Sequence, residues 1–290
     1  MAADAMNPGE YLAHVLGMLE RRALNRALVD WTQFHAVSAR SLGEAHAVIA
    51  RAVEMLGDKH TFFLTPTVAA ERLARRSAQT DPLPTGRLID DRLAYLAIPS
   101  VAGWDEPVRR YTATGAALVR ELDGHDPAGW IVDLRGNGGG NMYPMVTVVA
   151  PLLGDGHLGS FVGADGSVQS RWELREGRVL DGPTNKSPVP NPYVLRHLRP
   201  RTAILIDRGT ASAAEATLIS FLGLPRVRTF GEPTAGYATG NEGIDLPDGA
   251  RLILTCSKEA DRLGRVYDNN PIAPDERGED ALALALTWLR

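Results

Sequence analysis

The order of the secondary-structure patterns predicts an α/β protein with largely parallel strand pairing. From about residue 92 onward, short apolar and β-branched runs alternate with amphipathic stretches of helical periodicity. This alternation is typical of α/β domains, in which a helix connects one strand to the next. Residues Glu10 to Leu56 instead carry apolar side chains at three- and four-residue steps throughout, which predicts a separate helical subdomain at the N-terminus.

Two helix starts can be recognised within the N-terminal segment. Asn7 followed by Pro8 is a typical start signal, and Ser41 with Glu44 forms a candidate capping box. A composition change follows a stretch rich in turn residues. We therefore expect an N-terminal helical bundle at 1–66 that ends in the segment containing His60, a linker at 67–91 and a core at 92–290.

The elements of the core are expected in a regular order. The predicted strands are Arg92 to Pro99, Ala128 to Leu134, Thr202 to Ile206, Arg226 to Phe230, Gly243 to Leu246 and Arg251 to Ser257. The predicted helices are Glu106 to Leu122, Met142 to Leu153, Ala213 to Leu222 and Glu279 to Leu289. Phe161 to Leu180 shows polar, strand-like alternation, and a Pro-rich loop follows it.

Composition excludes several classes of function. The chain has 290 residues, 44% hydrophobic and 23% charged, with a net charge of -4, so it lacks the basic surface expected for nucleic-acid or anionic-membrane partners. The single Cys256 permits no internal disulfide, and no Cys/His spacing suggests a metal, so we expect no cofactor. Without a signal sequence or a long apolar run, we expect a cytoplasmic protein, or a secreted or periplasmic one if a signal peptide has been removed.

Ser212 is the first candidate for chemistry. It lies where the buried strand ending at Ile206 gives way to the helix starting at Ala213. A hydroxyl at this junction is next to the unpaired N–H groups and the positive dipole end of a helix, an environment that stabilises an oxyanion. The alternative is that Ser212 only caps the helix, as serine often does.

A glycine-rich run is the second candidate. Asp133 to Gly140 reads DLRGNGGG directly after a buried strand, which indicates a backbone that approaches another group closely. Neither nucleotide-binding fingerprint is satisfied, so a phosphate site is excluded. The run could supply half of an oxyanion hole, or it could be a tight turn in which Asp133 and Arg135 pair locally.

A serine nucleophile needs a base and a group that orients the base. His60 could be the base, and two carboxylates lie in the turn-rich loop from Val266 to Asp275. The GxSxG elbow of α/β-hydrolases is absent around Ser212. Spacing alone therefore leaves the choice of partners open.

Five motifs, in this order, resemble the core of the S41 peptidases: DLRGNGGG, GTASAAE, GEPTAGY, LPDGARLILT and PIAPD. This family includes the tail-specific or C-terminal processing proteases, the tricorn core and interphotoreceptor retinoid-binding protein. The match spans roughly Arg92 to Asp275, and GDKHTFF resembles the upstream histidine segment of one branch. The resemblance implies a crotonase-like spiral of ββα units. It also implies Ser212 as nucleophile, with oxyanion donors from the N–H groups of Ala213 and of Gly140 or Gly139.

The base is where the sequence departs from part of that family. The processing proteases use a lysine where this chain has Tyr237, so the resemblance to the tricorn-like branch implies His60 as base and Asp268 as its acid. Lys59, which replaces a serine of the tricorn core, is the lesser alternative for the base. Tyr237 could line the substrate pocket, donate to the substrate, or only pack, and Lys59 is a second candidate for lining the pocket.

The implied activity is acyl transfer from a peptide or a small amide or ester to water. Fewer than thirty residues separate Phe63 from Arg92, too few for the PDZ domain of processing proteases, so a preference for protein C-termini is not expected. Two other classes stay open: a binding protein for an apolar or peptide ligand, and a crotonase-type acyl-thioester enzyme that would not need Ser212. The sequence also leaves open whether the chain forms a homo-oligomer.

Overall fold

The computed structural model describes residues 6–78, 82–103 and 106–290. The helices in these ranges are α1 (Pro8–Arg22), α2 (Thr32–His35), α3 (Leu42–Met55), α4 (Pro66–Ala78), α5 (Glu106–Gly124), α6 (Met142–Val148), α7 (Ala150–Leu153), α8 (Ala213–Phe221) and α9 (Ala281–Leu289), with a 3-10 turn at Arg26–Leu28. The strands are β1 (Phe62–Leu64), β2 (Thr85–Ile89), β3 (Leu93–Ala97), β4 (Gly129–Asp133), β5 (Gly156–Val162), β6 (Val168–Arg175), β7 (Arg178–Asp181), β8 (Thr184–Asn185), β9 (Thr202–Ile206), β10 (Val227–Gly231), β11 (Thr239–Asp245), β12 (Arg251–Asp261), β13 (Val266–Tyr267) and β14 (Glu276–Arg277).

The chain forms two compact units that each combine separate segments. The first contains Met1–Thr80, Gly163–Ser167 and Thr239–Lys258, and the second contains Asp81–Val162, Val168–Ala238 and Glu259–Arg290. This grouping differs from the segments 1–66, 67–91 and 92–290, because strands distant in sequence pair with the N-terminal region. The expected linker at 67–91 also contains most of α4 and all of β2.

The first unit confirms the N-terminal helices. Asn7 Oδ1 accepts from Glu10 N over 2.9 Å at the start of α1, and Ser41 Oγ accepts from Glu44 N over 3.2 Å at the start of α3. The apolar stripes of α1 and α3 share one core with residues of β12 such as Leu252. Within this unit β1 and β11 both pair antiparallel with β12.

The second unit contains the predicted parallel sheet, in the order β14-β10-β9-β4-β3-β2. Neighbouring strands are parallel from β14 to β3, and only β2 pairs antiparallel. Every residue of β4 and β9 is buried, which explains their continuous apolar runs. The prediction of an α/β fold is therefore confirmed.

Parallel pairing does not extend to β5, β6, β7 and β8, which form an antiparallel meander. In β6 the buried Trp172 and Leu174 alternate with more exposed residues, as expected for a sheet packed on one face.

The predicted helix from Met142 to Leu153 is divided at Val149 into α6 and α7. Pro151 explains the division, because it has no N–H to continue the α6 hydrogen bonds. No described helix combines the length and hydropathy that a bilayer span requires.

Candidate active site

Ser212 lies at a sharp junction between β9 and α8, as the sequence predicts. Its φ of 53° and ψ of -115° are in a region that non-glycine residues rarely occupy, and its side chain is half-buried. Strain of this kind persists only where the surrounding structure enforces it, and it concentrates at functional sites. A strained strand-to-helix turn is also how the α/β-hydrolases expose a nucleophilic serine.

The glycine-rich loop reaches this junction because β4 and β9 are parallel neighbours, with Asp133 opposite Leu205. The loops that follow both strands therefore leave the same edge of the sheet. Three hydrogen bonds join them: Ala211 N donates to Asn137 O, Thr210 Oγ1 donates to Leu134 O and Gly136 N donates to Asp207 Oδ1, each over 2.9 Å. Arg135 pairs with Asp133 over 2.6 Å, which confirms the local ion pair.

Gly139 and Gly140 both require the absence of a side chain. A Cβ on Gly139, where φ is +95°, would lie 2.7 Å from Ala211 O and 2.9 Å from Ser212 Cβ. A Cβ on Gly140, where φ is +118°, would lie 2.1 Å from Val101 O. The N–H of Gly139 donates to Asn137 Oδ1 over 2.9 Å, whereas Gly140 is exposed. Of the two glycines, Gly140 thus has the geometry that suits an oxyanion donor better.

Glu215 connects Ser212 to the loop that follows β10. Its buried carboxylate accepts from Ser212 N over 2.8 Å, Gly236 N over 2.9 Å and Tyr237 N over 2.7 Å, and from Thr234 Oγ1 over 2.5 Å. Burial raises the pKa of Glu215, and these four donors oppose that shift. Glu215 therefore has the contacts of a brace for the turn, and Tyr237 is held there through its backbone.

The loop containing Asp268 passes over the same region of the second unit. Thr234 N donates to Ile272 O over 3.0 Å, and a Cβ on Gly236 would lie 2.6 Å from Pro271 N. Asp268 Oδ1 accepts from Asn270 N over 3.0 Å, which forms a turn that fixes the carboxylate. The second unit thus brings the predicted Ser212, Ala213, Gly139, Gly140 and Tyr237 close together, with the Asp268 loop beside Gly236.

His60 belongs to the first unit and is 8% exposed. Its ring Nδ1 lies 2.8 Å from Thr239 Oγ1, and its backbone N–H donates to Asp58 Oδ1 over 2.9 Å. Burial lowers the pKa of His60 to about 4, opposed by the charge of Asp58 and assisted by that of Lys59. Lys59 is exposed, so it lacks the desolvation that turns a lysine into a base.

Two residues near the predicted site were missed in the sequence. Asn137 is 1% exposed, and its Oδ1 accepts from Gly139 N while its Nδ2 donates to Ile98 O over 2.7 Å. Its position among the glycines was a signal that could have identified it. Thr239 carried no such signal. No set of three or more His, Cys, Asp or Glu residues in the described part of the chain is arranged to hold a metal ion.

An α/β fold with a strained serine at a strand-to-helix junction beside a glycine loop is the arrangement expected of a serine-type hydrolase. Comparison with known families agrees. The model of peptidase family S41 matches residues 92–277, and the chain therefore belongs to this family of serine-type peptidases.

Individual relatives cover nearly the whole chain. A nisin-resistance protein from Lactococcus lactis subsp. lactis is 30% identical over 291 residues, which cover 98% of this chain and 87% of that protein. The structure of a lipoprotein from Streptococcus agalactiae is 28% identical with a TM-score of 0.83, covering 100% of this chain and 98% of the other. The photosystem II D1 C-terminal processing protease is 15% identical with a TM-score of 0.68, covering 95% and 94%, and shows a similar fold.

Proposed function

We propose that this chain hydrolyses a peptide with Ser212 as the nucleophile. The observation that carries the proposal is the strained backbone of Ser212, with φ of 53°, which lies so close to Gly139 that a Cβ on that glycine would be 2.9 Å from Ser212 Cβ. A cap needs no such conformation, because N-cap residues ordinarily have extended φ and ψ angles. The enforced geometry is therefore better explained by catalysis than by capping.

The oxyanion donors in this proposal are the N–H groups of Ala213 and Gly140. Ala213 is the first residue of α8, where backbone N–H groups have no partner within the helix. Gly140 is favoured over Gly139 because the Gly139 N–H already donates to Asn137. Two donors that are fixed before the reaction stabilise the developing charge without reorganisation.

His60 is the proposed general base, and Asp268 is the proposed acid, whose charge stabilises the imidazolium. A pKa of about 4 keeps the imidazole of His60 neutral at pH 7, so it can accept the proton of the Ser212 hydroxyl. Tyr237 is a proposed pocket residue, since Glu215 holds its backbone beside the serine turn.

The spiral arrangement of the core, the domain bounds, the substrate class and the cellular compartment are also proposals. The parallel sheet with its covering helices is consistent with a crotonase-like spiral of ββα units and with a catalytic core at 92–290 after the helical segment 1–66 and the connection 67–91. A relative that confers nisin resistance supports a peptide as substrate, and a lipoprotein relative supports the secreted alternative for the compartment.

A fluorophosphonate probe tests the proposed nucleophile, with the modified residue identified by mass spectrometry. We expect labelling at Ser212 in the wild type, none in Ser212→Ala, and strongly reduced rates in His60→Ala and Asp268→Asn. Ser220→Ala is the matched control, because Ser220 lies on the same helix and donates only to Ala216 O. Labelling at another residue, or equal labelling in Ser212→Ala, would remove the basis for the proposal.

A further inference from the structure

The hydroxyl of Thr239 is a hydrogen-bond partner of the His60 ring. Oγ1 of Thr239 lies 2.8 Å from Nδ1 of His60, and the two residues are 3% and 8% exposed. The two residues are 179 positions apart in the chain. His60 lies in a loop and Thr239 in β11 of the same compact unit. The backbone of His60 is held as well, because Asn241 Nδ2 donates to His60 O over 3.0 Å and His60 N donates to Asp58 Oδ1.

A partner that accepts a hydrogen bond at Nδ1 decides which nitrogen of a neutral imidazole is basic, and a threonine hydroxyl can act as that acceptor. One ring nitrogen carries the proton and the other carries the lone pair. When Nδ1–H donates to the Thr239 oxygen, Nε2 keeps its lone pair and is the atom that accepts a proton. After that transfer the imidazolium has N–H on both nitrogens, and the Nδ1–H bond to Thr239 is retained.

We infer that Thr239 is the positioning residue that fixes the Nδ1–H tautomer of His60 and so leaves Nε2 as the nitrogen that accepts a proton. The inference rests on the proposed function in that His60 is the base, but the tautomer itself is a property of the first unit. In the reaction, the proton of Ser212 Oγ passes to Nε2 while Nδ1–H continues to donate to Thr239 Oγ1.

A hydroxyl in this place has consequences that a carboxylate would not have. A neutral oxygen stabilises the imidazolium less than a charged one, so the base stays neutral down to a lower pH. Among the charged groups acting on His60 are Asp58, which favours the imidazolium, and Lys59, which disfavours it. Burial is the largest of these influences.

The test combines NMR of the ring nitrogens with the rate of fluorophosphonate labelling in the full-length protein. In the wild type we expect the ¹⁵N shifts of His60 to show a protonated Nδ1. Thr239→Val keeps the β-branched shape and removes the hydroxyl, so we expect a shift toward the Nε2–H tautomer and a roughly 10- to 100-fold slower labelling rate. Thr239→Ser restores the hydroxyl and should recover the wild-type tautomer and most of the rate.

Thr255→Val is the matched control. Thr255 is a fully buried threonine of the same unit, on β12, and among the described residues its hydroxyl has no hydrogen-bond partner. Its replacement should change neither the tautomer nor the rate. A wild-type His60 in the Nε2–H form, or a Thr239→Val protein with the wild-type tautomer, would overturn the inference. If Asp268→Asn changed the tautomer and Thr239→Val did not, the carboxylate would be the positioning group.

The two proposals can fail separately. If Ser212 is not the nucleophile, labelling will be unchanged in Ser212→Ala, whatever the tautomer of His60. Loss of the positioning role would appear in the ¹⁵N spectrum, which needs no activity.

Discussion

The backbone N–H of Ser212 donates to Oε2 of Glu215, three residues further along the chain, over 2.8 Å. The same carboxylate accepts from the N–H groups of Gly236 and Tyr237, so a single buried side chain holds both the serine turn and the loop after β10. A carboxylate suits this position because it only accepts hydrogen bonds and can bond several donors at once.

Glu215→Gln should therefore disturb the serine turn although the two side chains have nearly the same shape. The new amide NH₂ group needs a hydrogen-bond acceptor, but at this position it would face an N–H or hydroxyl donor. An unsatisfied buried donor costs about 1–3 kcal/mol. We expect a lower free energy of unfolding in urea and a slower rate of Ser212 labelling. Glu232→Gln is the control, because its pair with Arg208 is exposed and should contribute little. Equal labelling rates in Glu215→Gln and wild type would refute the bracing role.

Gly139→Ala should abolish most of the labelling. The added Cβ would lie 2.7 Å from Ala211 O and 2.9 Å from Ser212 Cβ, and φ at this position is +95°. The loop must then move away from the serine turn and take the proposed oxyanion donor, the Gly140 N–H, with it, which costs roughly 100- to 1000-fold in rate.

Gly138→Ala provides the comparison for this prediction. A Cβ there would meet only Ser100 Oγ at 3.9 Å, which is ordinary contact. This variant should label at nearly the wild-type rate. Similar losses in both variants would mean that loop flexibility, and not the contact with Ser212, determines the rate.

The position of the glycine loop beside Ser212 was predictable because it follows from local patterns. Asp133 to Gly140 and Ile206 to Ala213 each follow a fully apolar run, and the carboxyl ends of parallel strands meet at one edge of a sheet. Glu215 lies three residues after Ser212, the spacing at which a helix side chain can accept from the backbone N–H of the residue before the helix.

Contacts between distant segments could not be predicted in this way. Thr239 and His60 are 179 positions apart, and no periodicity or motif links a threonine in β11 to a histidine near the N-terminus. The antiparallel meander from β5 to β8 was equally hidden, because polar alternation indicates strands but not their partners. Domain boundaries differ for the same reason, since β11 and the first part of β12 belong to the unit of the N-terminal helices.

The labelling rate should stay high to an unusually acidic pH. Burial lowers the pKa of His60 to about 4 from the ordinary 6.5, so the imidazole remains a base until the pH approaches 4. We expect a nearly constant rate from pH 8 to about pH 5, followed by a decline as His60 becomes protonated. A decline that begins near pH 7 would show that His60 titrates as an ordinary histidine.

The same shift predicts an acid-dependent loss of stability. Between pH 6.5 and 4 His60 is protonated in the unfolded chain but neutral in the folded protein. As the pH decreases through this range, the free energy of unfolding falls by about 1.4 kcal/mol per pH unit. Below the folded pKa the loss is complete. His60→Asn removes this contribution, and urea unfolding of both proteins at pH 7, 6 and 5 should show a shallower dependence for the variant. Parallel dependences would contradict the lowered pKa.

Glu259 should lower the free energy of unfolding as the pH rises, whereas His60 lowers it as the pH falls. Glu259 is 3% exposed, its Oε2 lacks a hydrogen-bond partner among the described residues, and burial together with the charge of Glu215 raises its pKa well above the ordinary value. Because the folded state favours the protonated acid, stability is full below the unfolded pKa and is lost as the pH rises toward the folded pKa. Glu259→Gln copies the neutral acid and cannot ionise, so its free energy of unfolding relative to wild type should increase from pH 5 to pH 8. The exposed Glu279→Gln should show no such trend. If the difference for Glu259→Gln were constant over this range, the carboxyl would already be ionised in the folded protein, and the turn held by Glu215 would lie above a buried charge pair of like sign.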